Sequence, residues 1–272
     1  MKLIAIGDNV ADCYLDQGLY YPGGNAVNVA VNCKRNGWEE VAYIGVFGDD
    51  SKAEHIQYAL GQEGITYGYS RKVYAPSGSP GVKLVDNDRV FVRGAQNTAQ
   101  HVLRLRLMPA DLDYISTFDL CHTSCYSSIE SELETIKAHC AISFDFSTRR
   151  DTAYLERVCP HIRYAFFSGA DLETSELDDL IAACHRLGTE IVGVTRGSSG
   201  AVFSRNGERF EQGITPATIV DTMGAGDSFI AGFLTSYTSV GEMQKALQYG
   251  ADRAAYTCTY YGGFGYPQKM ED

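Results

Sequence analysis

The sequence predicts an α/β fold whose mostly parallel sheet is covered by helices on both faces, with a small β lid beside it. Three observations carry this. Short apolar runs alternate with helical stretches along most of the chain, as parallel strands joined by crossover helices require. Two segments rich in Tyr, Val, Gly and Pro, approximately 13–22 and 72–93, interrupt that rhythm and read as extended structure. The chain is 272 residues long, 44% hydrophobic and 21% charged, which is enough to bury a large core.

In chain order, Leu3-Ile4-Ala5-Ile6 is an apolar strand stopped by Gly7-Asp8. Asn25–Arg35 has helical character, with Gly37 as its stop. Val41–Val46 is strand-like and Ser51–Glu63 helix-like. The alternation returns with strands at Asp119–Cys125, Ala141–Phe146, Tyr164–Phe167 and Ile191–Thr195. Helices are expected at Ile129–His139, Ala153–Val158, Glu176–Leu187 and Asp227–Tyr237. Tyr14–Tyr21 and Lys72–Arg93 form the lid, the second with Asp86-Asn87-Asp88 as a turn between extended runs. There is no repeat, low-complexity run or linker. Ligands of an open parallel sheet bind at the carboxyl ends of its strands, so the residues just past each strand are the candidates.

A net charge of −11 speaks against nucleic acid as a partner, which usually meets a basic face. It leaves anionic substrates open, because backbone N–H groups and a metal ion hold phosphates in acidic proteins. Met1–Gly7 reads as a strand rather than a signal peptide, and no apolar stretch reaches the ~18 residues of a membrane span. A cytoplasmic protein with no membrane partner is expected. The eight cysteines sit in apolar segments and read as buried thiols. Cys121-His122-Thr123-Ser124-Cys125 comes nearest to a metal motif. On a strand, Cys121 and Cys125 share one face and His122 takes the other, and no second Cys/His pair has ligand spacing, so a structural role is expected.

The most informative segment is Asp221-Thr222-Met223-Gly224-Ala225-Gly226-Asp227-Ser228, a small-residue run leading into an apolar helix. Unhindered N–H groups at a helix N-terminus form an anion site, reinforced by the helix dipole. A first-turn carboxylate beside it can accept a proton from an attacking hydroxyl. Taken alone, the segment is also explained by a helix cap and a tight turn. Gly23-Gly24-Asn25-Ala26-Val27-Asn28 similarly presents two amides at a helix start, and amides suit sugar hydroxyls.

The first segment resembles the D-T-x-G-A-G-D signature of the ribokinase-like (PfkB-type) carbohydrate kinases, and the second their N-terminal signature. The resemblance runs from Ile6 to Gly265. It implies a ribokinase-like three-layer sandwich over a single domain, residues 1–272. It also implies an enzyme that moves the γ-phosphoryl group of ATP to a sugar hydroxyl with Mg²⁺, a monovalent cation such as K⁺ being a further candidate. Asp227 would be the base, with the N–H groups of Gly224, Ala225 and Gly226 as anion hole. Asp12, Asn9, Gly24, Asn25, Asn28 and Arg149 would contact the sugar. Thr195, Gly197 and Gly200, in a T-x-G-x-x-G stretch, would contact ATP. The family's N-x-x-E stretch reads Ser168-Gly169-Ala170-Asp171 here, so Asp171 is the candidate that reaches Mg²⁺ through water.

Within the family, Asp86 through Phe91, Phe144-Asp145-Phe146-Ser147 and Asp221 through Leu234 resemble the fructoselysine 6-kinases. That implies transfer to the primary O6 hydroxyl of an Amadori compound and a homodimer through the lid. Other readings are a ribose, fructose, ketodeoxygluconate or nucleoside kinase, or a non-catalytic nucleotide or sugar sensor. A dinucleotide-dependent oxidoreductase is set aside, because Gly7–Asp12 lacks the G-x-G-x-x-G turn.

Overall fold

The computed structural model describes residues 1–85, 88–94 and 97–270, the side chain of Arg93 aside. The chain opens with β1 (Lys2–Gly7), β2 (Val10–Tyr14), β3 (Leu19–Gly23), α1 (Asn25–Arg35), β4 (Glu40–Phe47) and α2 (Ser51–Gln62). Next come β5 (Arg71–Lys72), β6 (Gly81–Val85), β7 (Asp88–Arg93), α3 (Ala99–Val102), α4 (Pro109–Ile115), β8 (Leu120–Ser124) and α5 (Leu133–Lys137). β9 (Ala141–Asp145), α6 (Thr152–Val158), β10 (Tyr164–Ser168), α7 (Thr174–Arg186) and β11 (Ile191–Thr195) complete the alternation. β12 (Ala201–Arg205), β13 (Glu208–Gln212), α8 (Ala225–Val240), α9 (Met243–Thr257) and β14 (Gln268–Lys269) close the chain.

The main sheet has the order β13-β12-β11-β10-β9-β8-β1-β4-β5. From β11 to β5 its neighbours run parallel, and β12 and β13 add an antiparallel edge. From Leu3 to Ile6 β1 is apolar because both its faces are covered. Leu3 and Ala5 pack with α1, α2, α8 and α9, while Ile4 and Ile6 pack with the residues of α4 to α7. Those two cores on either side of one sheet make the three layers that the sequence implied. β11 turns back into β12, and Asn206-Gly207 joins β12 to β13 with φ of 50° and 91°, the two-residue turn that suits a twisted hairpin.

The smaller sheet has the order β14-β3-β2-β6-β7. Its boundaries differ from the sequence expectation in three ways. β2 starts at Val10, so Asp12 belongs to the lid sheet. Lys72 pairs with Phe47 at the edge of the main sheet, and the second lid segment starts only at Gly81. β14 joins from the C-terminal end, which sequence reasoning missed. Of the expected turn, Asp86 and Asn87 lie outside the described residues, and β6 and β7 pair antiparallel on either side of it. One face of this sheet packs Tyr14, Tyr21 and Val82 against Met223, just before α8. Because side chains alternate along a strand, Asp12 shares the face of Tyr14 and points toward the same region.

Candidate active site

Two helix starts meet at the carboxyl end of the main sheet. The first is that of α1. Asp8, just past β1, accepts hydrogen bonds from the backbone N–H groups of Asn25 (2.7 Å) and Ala26 (3.3 Å) and from Ser124 Oγ (3.3 Å). It thereby supplies the cap that Gly24 lacks. Gly24 has φ 103°, and a Cβ there would come within 2.8 Å of the Asp8 carbonyl oxygen, so only glycine fits this entry. The start so fixed carries Asn25 and Asn28, three residues apart on one helix face.

The second start is that of α8. Gly224 is left-handed (φ 71°, ψ 5°), and a Cβ on it would lie 2.7 Å from Gly263 Cα. The Ser228 N–H closes the first turn on the Gly224 carbonyl at 2.8 Å, and the Ala225 N–H donates to the Thr222 carbonyl at 3.2 Å. Among the described residues, the backbone N–H groups of Gly224, Gly226 and Asp227 have no backbone acceptor. The free set therefore differs by one from the expected anion hole: Ala225 is engaged, and Asp227 offers its own N–H.

The two starts are joined through Asp227. Asn25 Nδ2 donates to Asp227 Oδ1 and Asn28 Nδ2 to Asp227 Oδ2, both at 2.7 Å. Asn25 Nδ2 also donates to Oδ2 of Asp145, at the end of β9, at 2.8 Å. The other Asp145 oxygen accepts from the Ser147 N–H at 2.8 Å. Asn25 Oδ1 lies 3.0 Å from His122 Nε2, and His122 Nδ1 lies 3.0 Å from Ser143 Oγ.

Four carboxylates share this region, and burial pushes each of them up. Asp227 rises to about 6, burial outweighing the Asn28 and Asn25 hydrogen bonds and the positive charge of Arg89. Asp12 and Asp145 rise to about 7, each first through burial and then through the charge of Asp227. Asp8 rises through burial against its backbone hydrogen bonds. Arg89 on β7 is a cation that both Asp12 and Asp227 feel. Its guanidinium donates to the Thr222 carbonyl at 3.4 Å, and Thr222 Oγ1 donates to Asp88 at 2.5 Å, so the lid strand is tied to the loop before α8.

The other expected residues lie in separate settings. Asn9 is buried, its Nδ2 donating to Tyr43 OH (2.9 Å) and the Val46 carbonyl (3.0 Å), so both its donors are committed to β4. Arg149 stacks its guanidinium 3.5 Å from the Tyr154 ring centroid and pairs with Asp151 at 3.4 Å. Thr195 ends β11 and donates from Oγ1 to the Phe167 carbonyl at 3.2 Å. Gly197 and Gly200 form the turn into β12, closed by Arg196 N–H to the Gly200 carbonyl at 2.7 Å. Asp171 is exposed and paired with Arg150 at 2.9 Å. Among the described residues no group of three or more His, Cys, Asp or Glu is placed to hold a metal. None of the described helices is long and apolar enough to cross a membrane.

The family model for pfkB family carbohydrate kinases matches residues 2–268. The chain belongs to this family. Among its relatives, this kinase is 46% identical to the fructosamine kinase FrlD of Bacillus subtilis over 275 residues, covering 100% of this chain and 96% of the relative. It is 32% identical to the fructoselysine 6-kinase of Escherichia coli, covering 97% of this chain and 100% of the relative. The fold matches an Arabidopsis thaliana ribokinase complexed with ribose and ATP, with TM-score 0.80 and 20% identity over 96% of this chain and 93% of that one. A ribokinase of Giardia lamblia matches with TM-score 0.81 and 18% identity over 97% and 94%.

Sequence reasoning about this kinase missed Asp145, His122 and Arg89 as members of the site. Asp145 carried a usable signal, since it ends a strand on the binding edge of the sheet. His122 lay inside an apolar strand, where a satisfied core histidine is the ordinary reading. Arg89 acts across the lid, a placement that no local pattern reports.

Proposed function

We propose that this kinase transfers the γ-phosphoryl group of ATP to O6 of fructoselysine or a related Amadori compound, with Asp227 as the base. The observation that carries the reading is the Asp227 carboxylate, held on both oxygens by Asn25 and Asn28 beside the free N–H groups of the α8 start. The substrate class is supported by full-length similarity to a fructosamine kinase and a fructoselysine 6-kinase.

Phosphoryl transfer asks the protein for positioning and charge stabilisation rather than covalent work. In this reading Asp12 and Asn28 orient the sugar, and Asp227 takes the O6 proton as oxygen attacks the γ-phosphorus and the bond to the bridging oxygen breaks, leaving ADP. The N–H groups of Gly226 and Asp227, with the α8 dipole, face the charge on the transferring group. A carboxyl near 6 is mostly ionised at neutral pH yet basic enough to accept a proton there. The open N–H groups fit a phosphate oxygen. Mg²⁺ would arrive on the nucleotide's phosphates with most of its waters, which suits a chain with no dedicated metal cage among its described residues. Asp171, exposed and ion-paired with Arg150, would reach that metal through water.

The test is ADP release from ATP·Mg²⁺ with fructoselysine, fructose, ribose, ketodeoxygluconate and adenosine. Selective turnover on fructoselysine, lowered by about three orders of magnitude in Asp227→Asn, is expected. Turnover on another sugar alone would discard the substrate, and an active Asp227→Asn would discard the base. We further propose a homodimer through the lid, supported by Val85 and Phe91, 56% and 54% exposed on the β6–β7 hairpin.

A further inference from the structure

The strand histidine next to Asn25 has no part in the mechanism above, yet it anchors the acceptor end of an amide that has one. Asn25 places one end of its amide between two carboxylates, Asp145 and Asp227. With Asp227 ionised as a base must be, only the NH₂ end can face it, so Oδ1 faces His122. Oδ1 only accepts, so His122 must carry its proton on Nε2. A neutral ring then leaves Nδ1 as an acceptor, and Ser143 Oγ donates to it. His122 is 0% exposed, and burial alone pulls it down to about 3, which keeps the ring neutral at working pH.

We propose that His122 is a positioning residue for catalysis: by donating from Nε2 to Asn25 Oδ1 it locks the Asn25 amide with its NH₂ on Asp227, and so sets how readily Asp227 accepts a proton. The proposal rests on the reading of Asp227 as base. Without the histidine donor, Asn25 Oδ1 loses its buried partner and the amide loses its anchor on β8. An unanchored Asn25 holds its NH₂ less firmly on Asp227, which removes attraction that favours the ionised form and so favours the protonated base. The other groups facing Asp227 stay in place: Asn28 from α1, Asp8 after β1, Asp12 from β2, Arg89 from β7 and Asp145 from β9.

The experiment compares wild type, His122→Leu and His122→Gln in the pH profile of kcat/KM for fructoselysine with ATP·Mg²⁺. Wild type is expected to lose activity as pH falls through about 6. His122→Leu removes the donor. Its acid limb should move up by about one pH unit and its kcat fall about 10-fold, with KM for ATP within ~2-fold. His122→Gln keeps an N–H donor near Nε2 and should keep the limb in place with kcat within ~3-fold. A folded His122→Leu with an unmoved limb overturns the proposal. In case the leucine variant does not fold, ¹⁵N spectra of the wild-type imidazole decide. A neutral Nε2–H ring from pH 5 to 8 supports the proposal, and an Nδ1–H or titrating ring defeats it. Asp227→Asn separates the two levels. If it remains active, the base reading fails; if it is inactive while His122→Leu keeps its limb, only the role of His122 fails.

Discussion

Asp12 sits 3% exposed on β2 with its carboxyl raised to about 7, first by burial and then by Asp227. An unfolded Asp titrates near 3.9, so the native state holds the proton more tightly between those values. The group's contribution to stability is whole below pH ~4 and is lost as pH rises through about 7. Replacing it by the neutral Asn should therefore stabilise the ligand-free protein more at pH 8 than at pH 5, by roughly 1–3 kcal/mol at the alkaline end, or several degrees in Tm. Thermal melts of Asp12→Asn at both pH values check this, and equal shifts would remove the titration account. The same substitution should raise KM for the sugar. Asp227, Asn25 and Asn28 were legible because each stands in a run of small residues at a helix start. Asp145 and His122 were not, because their partners are 120 and 97 positions away in the chain.

Among the elements, α1 and α8 position the candidate site, and each begins at a glycine that nothing else replaces. Gly224→Ala would impose a left-handed alanine and a contact with Gly263, costing about 2–4 kcal/mol and roughly 5–10 °C in Tm. Its KM for ATP should rise, since the free N–H groups follow from that entry. Calorimetry and ATP titration check this, and a variant melting with wild type would remove the steric account. Other elements were readable but unread. Asn206-Gly207 is a strong hairpin signal, and Met243, Ala246, Leu247, Gly250 and Ala251 follow the spacing of a buried helix face in α9.

For the whole molecule, the lid sheet serves two surfaces. One face brings Asp12 and Arg89 toward the α8 start, and the β6–β7 hairpin also presents Val85, Val90, Phe91 and Val92 to solvent. Such a patch on a sheet edge invites pairing with a second copy. Light scattering should give twice the chain mass for the wild type and one chain mass for Phe91→Asp. A monomeric wild type, or a Phe91→Asp dimer, would dismiss the lid interface.

The alternating apolar runs determined by themselves that the protein would be a layered α/β fold, because strand and helix periods are written locally in the chain. The glycine-rich helix starts likewise marked Asp227, Asn25 and Asn28 as candidates, and their resemblance to the family signatures singled them out where local physics alone also allowed a cap and a tight turn. Only the tertiary structure decided that Asn25 would bridge two carboxylates, that a buried histidine would orient it, and that Arg89 would add a cation from the lid. Those relations join β7, β8, β9 and α1 to α8 across the sheet's carboxyl edge. They depend on hydrogen-bond distances and a low local dielectric that exist only once the layers have closed.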